Sequence, residues 1–146
     1  MAKPGARVWI GDVHALQGDG VVDQTAIETA AEDLEIRYDL HKLVALRGPL
    51  GETATAWILI GFAAGLDDAL VTCLRELIHW LSAAAGVSEP EAYALASMAV
   101  SFRVTQYANQ TGSAYTSTPP KAVHAVVPKS VFPAGLQDRV ARWLRP

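Results

Sequence analysis

The sequence has one cysteine, Cys73, so it has no internal disulfide framework and cannot build a structural zinc site from several thiolates. Any metal must be held by imidazole and carboxylate groups. Positive charge is also scarce: twelve Lys plus Arg stand against fifteen Asp plus Glu, for a formal charge of -3. A surface able to track a phosphate backbone is therefore not expected, and nucleic acid is not among the expected partners. Long apolar runs are missing too. The longest apolar-rich stretch, residues 54–66, is interrupted by Thr and Gly and falls short of a bilayer span. The opening Met-Ala-Lys-Pro-Gly lacks the apolar segment of a secretory signal, so the expected location is the cytoplasm, with no membrane partner. What remains is 146 residues, 51% hydrophobic and 18% charged, enough for one domain with its own core over residues 1–146.

Between Asp33 and His41 apolar and polar residues alternate: Leu34, Ile36, Tyr38 and Leu40 fall on one side, with charged residues and His41 on the other. That pattern predicts a half-buried strand. Runs at residues 7–10, 55–60, 102–107 and 122–127 read as further strands. From Leu66 to Leu81 apolar residues recur every three or four positions behind Asp67 and Asp68, which predicts a helix ending at Gly86. A second helix is expected from Ser88, whose hydroxyl caps it with Glu91 reaching back, and its apolar stripe is read as Leu95, Met98, Ala99 and Phe102. Strands at both ends and two consecutive helices between them predict an α+β fold, a mixed or antiparallel sheet with the helices packed on one side. Residues 112–120 read as a surface loop, and residues 136–144 as a short amphipathic segment covering the sheet or meeting a partner.

Chemistry concentrates in Gly11-Asp12-Val13-His14-Ala15-Leu16-Gln17-Gly18-Asp19-Gly20. In an extended chain Asp12 and His14 project to the same side, a carboxylate and an imidazole suited to one divalent cation, while a turn with Asp capping its own backbone is the plainer alternative. Cys73 sits on an apolar helix stripe and reads as an inert core thiol; His41 and His79 read as solvated, and the tryptophans as packing groups.

This segment, followed by Thr25-Ala26-Ile27-Glu28, resembles the central signature of the acetamidase/formamidase family of amide hydrolases. In order along the chain, Ile60-Gly61-Phe62 with Leu66-Asp67-Asp68-Ala69, the helix from Glu91 to Val100, Arg103-Val104-Thr105-Gln106, and the segment from His124 to Phe132 are also similar to that family. The resemblance is to its C-terminal half alone. It implies metal-dependent hydrolysis of short aliphatic amides, with zinc as the expected metal on Asp12 and His14. It further implies Glu28, as proton shuttle or third ligand, and His124 as catalytic candidates, with Asp19 and Gln17 as supporting groups behind the metal, Asp19 orienting the loop or His14. A half-domain of this kind implies a homo-oligomer or a complementary subunit. Three features depart from the family pattern: Val21 stands where the family continues with Glu, Ser101 where it has Asp, and the 112–120 loop is longer. Val21 leaves a non-catalytic assembly or binding module on the same scaffold as the alternative function.

Overall fold

The computed structural model describes residues 5, 7, 13–23, 25–41, 43–108 and 120–146. Two short strands, β1 (His14–Leu16) and β2 (Ile27–Glu28), pair as an antiparallel ribbon. The main sheet contains β3 (Leu50–Glu52), β4 (Ala56–Ala63), β5 (Ser101–Gln106) and β6 (Lys121–Pro128), in the order β3-β4-β6-β5 with every pair antiparallel. Between β4 and β5 run two consecutive helices, α1 (Leu66–Ala85) and α2 (Glu89–Ala99), and α3 (Ala134–Leu144) closes the chain. The fold is α+β. β6 lies between β4 and β5, so the two-helix segment is a crossover that carries the chain past one strand position.

Alternation along β4 decides which side the helices occupy. Trp57, Leu59 and Gly61 point to α1 and are buried, while Ile58, Ile60 and Phe62 point away and stay partly exposed. On α1 the buried positions Ala69, Cys73, Leu77, Trp80, Leu81 and Ala84 repeat at three and four residues and form the complementary stripe. Trp57 anchors the layer, edge-on to Trp80 at 5.4 Å and to Phe132 at 5.8 Å between ring centroids. Gly61 permits the closest approach of sheet and helix: a Cβ there would lie 2.4 Å from the Cys73 backbone nitrogen. Cys73 itself is buried and donates to the Leu59 carbonyl at 3.5 Å; burial pushes its thiol up to about 11.

Both predicted helix boundaries of the central pair are present. Gly86 takes the left-handed conformation (φ 72°) and its N–H bonds to the Leu81 and Ser82 carbonyls. Ser88 caps α2, its hydroxyl accepting from the Glu91 N–H while the Glu91 carboxylate accepts from the Ser88 N–H at 2.9 Å. The packing stripe of α2 differs in part from the expected one, of which Leu95 and Phe102 pack partly buried against the core. Ala92 and Ala96 are its buried residues, Met98 is 75% exposed, and Phe102 lies in β5, because Val100 is already extended. Small side chains one turn apart let α2 press close to α1, which puts Ala92 and Ala96 at the centre of the contact and leaves Met98 outside it. At the end of the chain, the predicted amphipathic segment is α3, which buries Val140 in the common core.

The expected strand over residues 33–41 is not formed. Every one of these residues is exposed, and none of their backbone groups bonds to another backbone group among the described residues. A period of two records how side chains divide, but a strand also needs a neighbouring ladder, and this segment has none among the described residues. Residues 8–10, read as a strand, and most of the 112–120 loop lie outside the described residues. Among the described residues no single helix is long and apolar enough to cross a membrane; α1 and α2 together are, but they are bent by 116°.

Candidate functional site

The β1–β2 ribbon sets His14 directly opposite Glu28. Their side chains meet, His14 Nε2 lying 3.2 Å from a Glu28 carboxylate oxygen, and His14 Nδ1 lies 3.4 Å from the Gln17 amide oxygen. Two donors on one tetrahedral zinc with bonds of about 2.0–2.1 Å are separated by about 3.3 Å, so the His14–Glu28 spacing suits a shared divalent ion. Asp12, the expected partner of His14 on the metal, lies outside the described residues. Among the described residues no three His, Cys, Asp or Glu side chains converge as a complete ligand set.

From β1 the chain runs to the main sheet and is tied to the edge of β5. The Gly20 N–H donates to the Thr105 carbonyl at 3.2 Å, the Tyr107 N–H to the Gly20 carbonyl at 2.7 Å, and the Ala108 N–H to the Val21 carbonyl at 2.9 Å. These bonds impose φ 37° on Val21, a left-handed conformation that a β-branched residue rarely adopts. They also place Asp19 over the face of the sheet opposite the helices. There one Asp19 carboxylate oxygen lies 3.5 Å from the Arg103 guanidinium and 3.8 Å from His124 Nε2.

His124 is the one buried polar side chain among the described residues, 7% exposed on β6. The register pairs it with Arg103 on one side and Ile60 on the other. Its Nδ1 lies 2.9 Å from the Thr105 hydroxyl, which fixes the ring and leaves Nε2 aimed at Asp19. Lys129, by contrast, is occupied elsewhere, donating to Glu52 at 2.9 Å and to the Thr53 carbonyl at 2.7 Å.

The structure thus forms two clusters. His14, Gln17 and Glu28 meet on the ribbon, and Asp19, Arg103, Thr105 and His124 meet on the sheet, joined by the short segment from His14 to Asp19. Sequence reasoning assigned no role to Arg103 or Thr105. Their signal is the period of two within β5, which places both on one face, but the register against His124 follows only from the sheet order.

No family model and no curated protein matches the sequence. The solved structure of an acetamidase from Yersinia enterocolitica matches 81% of the chain at 28% identity, with a TM-score of 0.57. Over part of its length, the chain resembles an acetamidase. An acetamidase from Bacillus halodurans matches 57% of the chain at 25% identity, with a TM-score of 0.48. The matched region is 33% of the Yersinia acetamidase and 25% of the Bacillus acetamidase, so this chain corresponds to a minor part of each enzyme.

Proposed function

We infer that this chain is an amide hydrolase of the acetamidase type, acting on short aliphatic amides to give the carboxylate and ammonia. The observation that carries this reading is the 28% identity to the Yersinia acetamidase over four-fifths of the chain, with the shared amidase-like fold. The side-chain clusters supply suitable chemistry. An amide carbonyl must be polarised, water must lose a proton, and the leaving nitrogen must gain one. The buried His124 has Thr105 at its Nδ1 and Asp19 at 3.8 Å from its Nε2, which supports a role for it in carrying that proton. Arg103 stands beside Asp19 as a cation for the oxyanion or the carboxylate product. A divalent metal, zinc by donor type, would be held by His14 with Asp12 or Glu28, and would supply Lewis acidity and a more acidic bound water. Where Glu28 is not a ligand, its carboxylate would accept a proton from the attacking water.

The chain spans a third of the Yersinia enzyme. The reading also includes a second subunit or complementary polypeptide at the site and a cytoplasmic location. A second reading, a non-catalytic assembly module on the same scaffold, is favoured by Val21, which puts an aliphatic side chain where an acidic one would assist the reaction. Ammonia release from formamide and acetamide, measured with metal content on the same sample, separates the two. The hydrolase reading expects turnover that falls about a hundredfold or more in His124→Gln. A metal-loaded protein with no turnover, alone or with its completing subunit, would establish the assembly module instead.

A further inference from the structure

We propose that Thr105 is a positioning residue for His124, its hydroxyl serving the imidazole Nδ1 as donor or as acceptor, so that the ring holds its place against Asp19 whether neutral or charged. Three features of Thr105 meet in this role. Its hydroxyl lies 2.9 Å from Nδ1. Its carbonyl accepts the Gly20 N–H at 3.2 Å, and Gly20 directly follows Asp19, so one residue holds both the ring and the segment that carries the carboxylate in front of it. It is also the extra residue of a bulge: Val104 pairs with Val123 and Gln106 with Ala122, which leaves Thr105 over between them. In a regular ladder Thr105 would stand opposite Ala122, with His124 its diagonal neighbour at a Cα separation of about 7–8 Å. A bulge bends its strand and re-aims the side chain it carries, and here the short threonine side chain reaches Nδ1.

A hydroxyl suits this position because it both donates and accepts. Asp19 faces Nε2 with an oxygen at 3.8 Å, and a carboxylate only accepts, so the neutral ring keeps its proton on Nε2 while the Thr105 O–H donates to the bare Nδ1. When the ring gains a second proton, that proton sits on Nδ1, and the hydroxyl turns to accept it without any movement of the ring. The same turn serves a ring that has passed its Nε2 proton to a leaving nitrogen and kept the one on Nδ1. A carbonyl or carboxylate in this place would only accept, and would hold the neutral ring's proton on Nδ1. An aliphatic side chain would deprive Nδ1 of this partner in every state, in a residue only 7% exposed. Among the described residues the charged groups beside the ring are Asp19 and Arg103, while β4 sets Ile60 next to it. An effect of Thr105 on turnover rests on the amidase reading, whereas its effect on the ring does not.

Nitrogen NMR of the full chain, labelled at histidine, reads the ring directly, and His124→Gln identifies its signals among those of the four histidines. At a pH where the ring is neutral, the wild type should show a protonated Nε2 and an unprotonated, hydrogen-bonded Nδ1. Thr105→Ser keeps the hydroxyl and should keep that signature. Thr105→Val keeps the branched shape without the hydroxyl, and should move the Nδ1 signal to that of an unbonded nitrogen. In ammonia release from acetamide, Thr105→Val should lower kcat about tenfold or more with KM within about twofold, while Thr105→Ser stays within about threefold of the wild type. His124 signals in Thr105→Val that match the wild type overturn the proposal. So does a neutral wild-type ring protonated at Nδ1, a reading that stands even where Thr105→Val does not fold, or a Thr105→Ser protein that behaves as Thr105→Val does. A wild type that releases no ammonia but gives the expected nitrogen signals in all three proteins removes the amidase reading and supports the role of Thr105.

Discussion

Replacing Gly61 by Ala adds a single methyl group at the tightest contact between the main sheet and α1. That Cβ would lie 2.4 Å from the Cys73 nitrogen, 2.5 Å from the Ala69 carbonyl oxygen and 2.7 Å from the Cys73 Cα. An ordinary contact begins near 3.4 Å, so helix and strand must separate by about 1 Å. No side chain can rotate away, because all three atoms belong to the helix backbone. The separation would also loosen Trp57, Leu59, Leu77 and Leu81, which fill the same layer. Overpacking a close-packed core commonly costs about 1–3 kcal/mol, and a clash with helix backbone belongs at or above the upper end. For a domain of this size about 3 kcal/mol lowers the melting temperature by roughly 6–12 °C. Thermal unfolding followed by circular dichroism measures it, with Gly51→Ala as the control. There the added Cβ meets Ile58 Cβ at 3.7 Å, an ordinary contact, and the change should stay within about 0.5 kcal/mol. If Gly61→Ala melts within 2 °C of the wild type, the close approach of α1 to β4 is wrong.

Val21→Gly should stabilise the chain by about 0.5–1 kcal/mol, because relief of the left-handed strain exceeds the entropic cost of glycine; a lower melting temperature would refute the strain. Val21→Glu should raise ammonia release if an acidic group is what the site lacks, and should change nothing if Glu28 already serves, in which case Glu28→Gln abolishes turnover. Cys73 should resist thiol reagents in the native protein and react once denaturant is added, and rapid native labelling would contradict its burial. Glu52 bonds to Lys129 and Arg145; burial alone would raise its pKa, but these two cations outweigh it and hold the carboxyl below its usual value of 4.5. A depressed folded-state pKa gives stability that is complete above the unfolded value and lost as pH falls through the folded one. Glu52→Gln should therefore reduce stability at pH 7 and flatten the acid side of the stability profile, and an unchanged profile between pH 6 and 3 would count against the bridge.

The sequence by itself determined the elements whose cause is local. The apolar repeat of α1, its left-handed terminus at Gly86, and the Ser88–Glu91 cap depend on residues within a few positions of one another, and all three are present as read. The strands β4, β5 and β6 were legible from their apolar and β-branched runs to within a few residues. His14 and Glu28 stood out as chemical candidates, but only the β1–β2 register set them side by side. The tertiary structure alone decided the rest. It left residues 33–41, an expected strand, unpaired among the described residues, because hydrogen-bond partners are supplied by distant chain and not by a period of two. It chose Ala92 and Ala96 over Met98 as the contact of α2, because closeness to α1 favours small side chains. It joined Arg103 and Thr105 to His124, and brought Asp19 to them from more than eighty residues away. That assembly depends on strand order and on three backbone bonds from Gly20 and Val21 to the edge of β5, which no local spacing encodes.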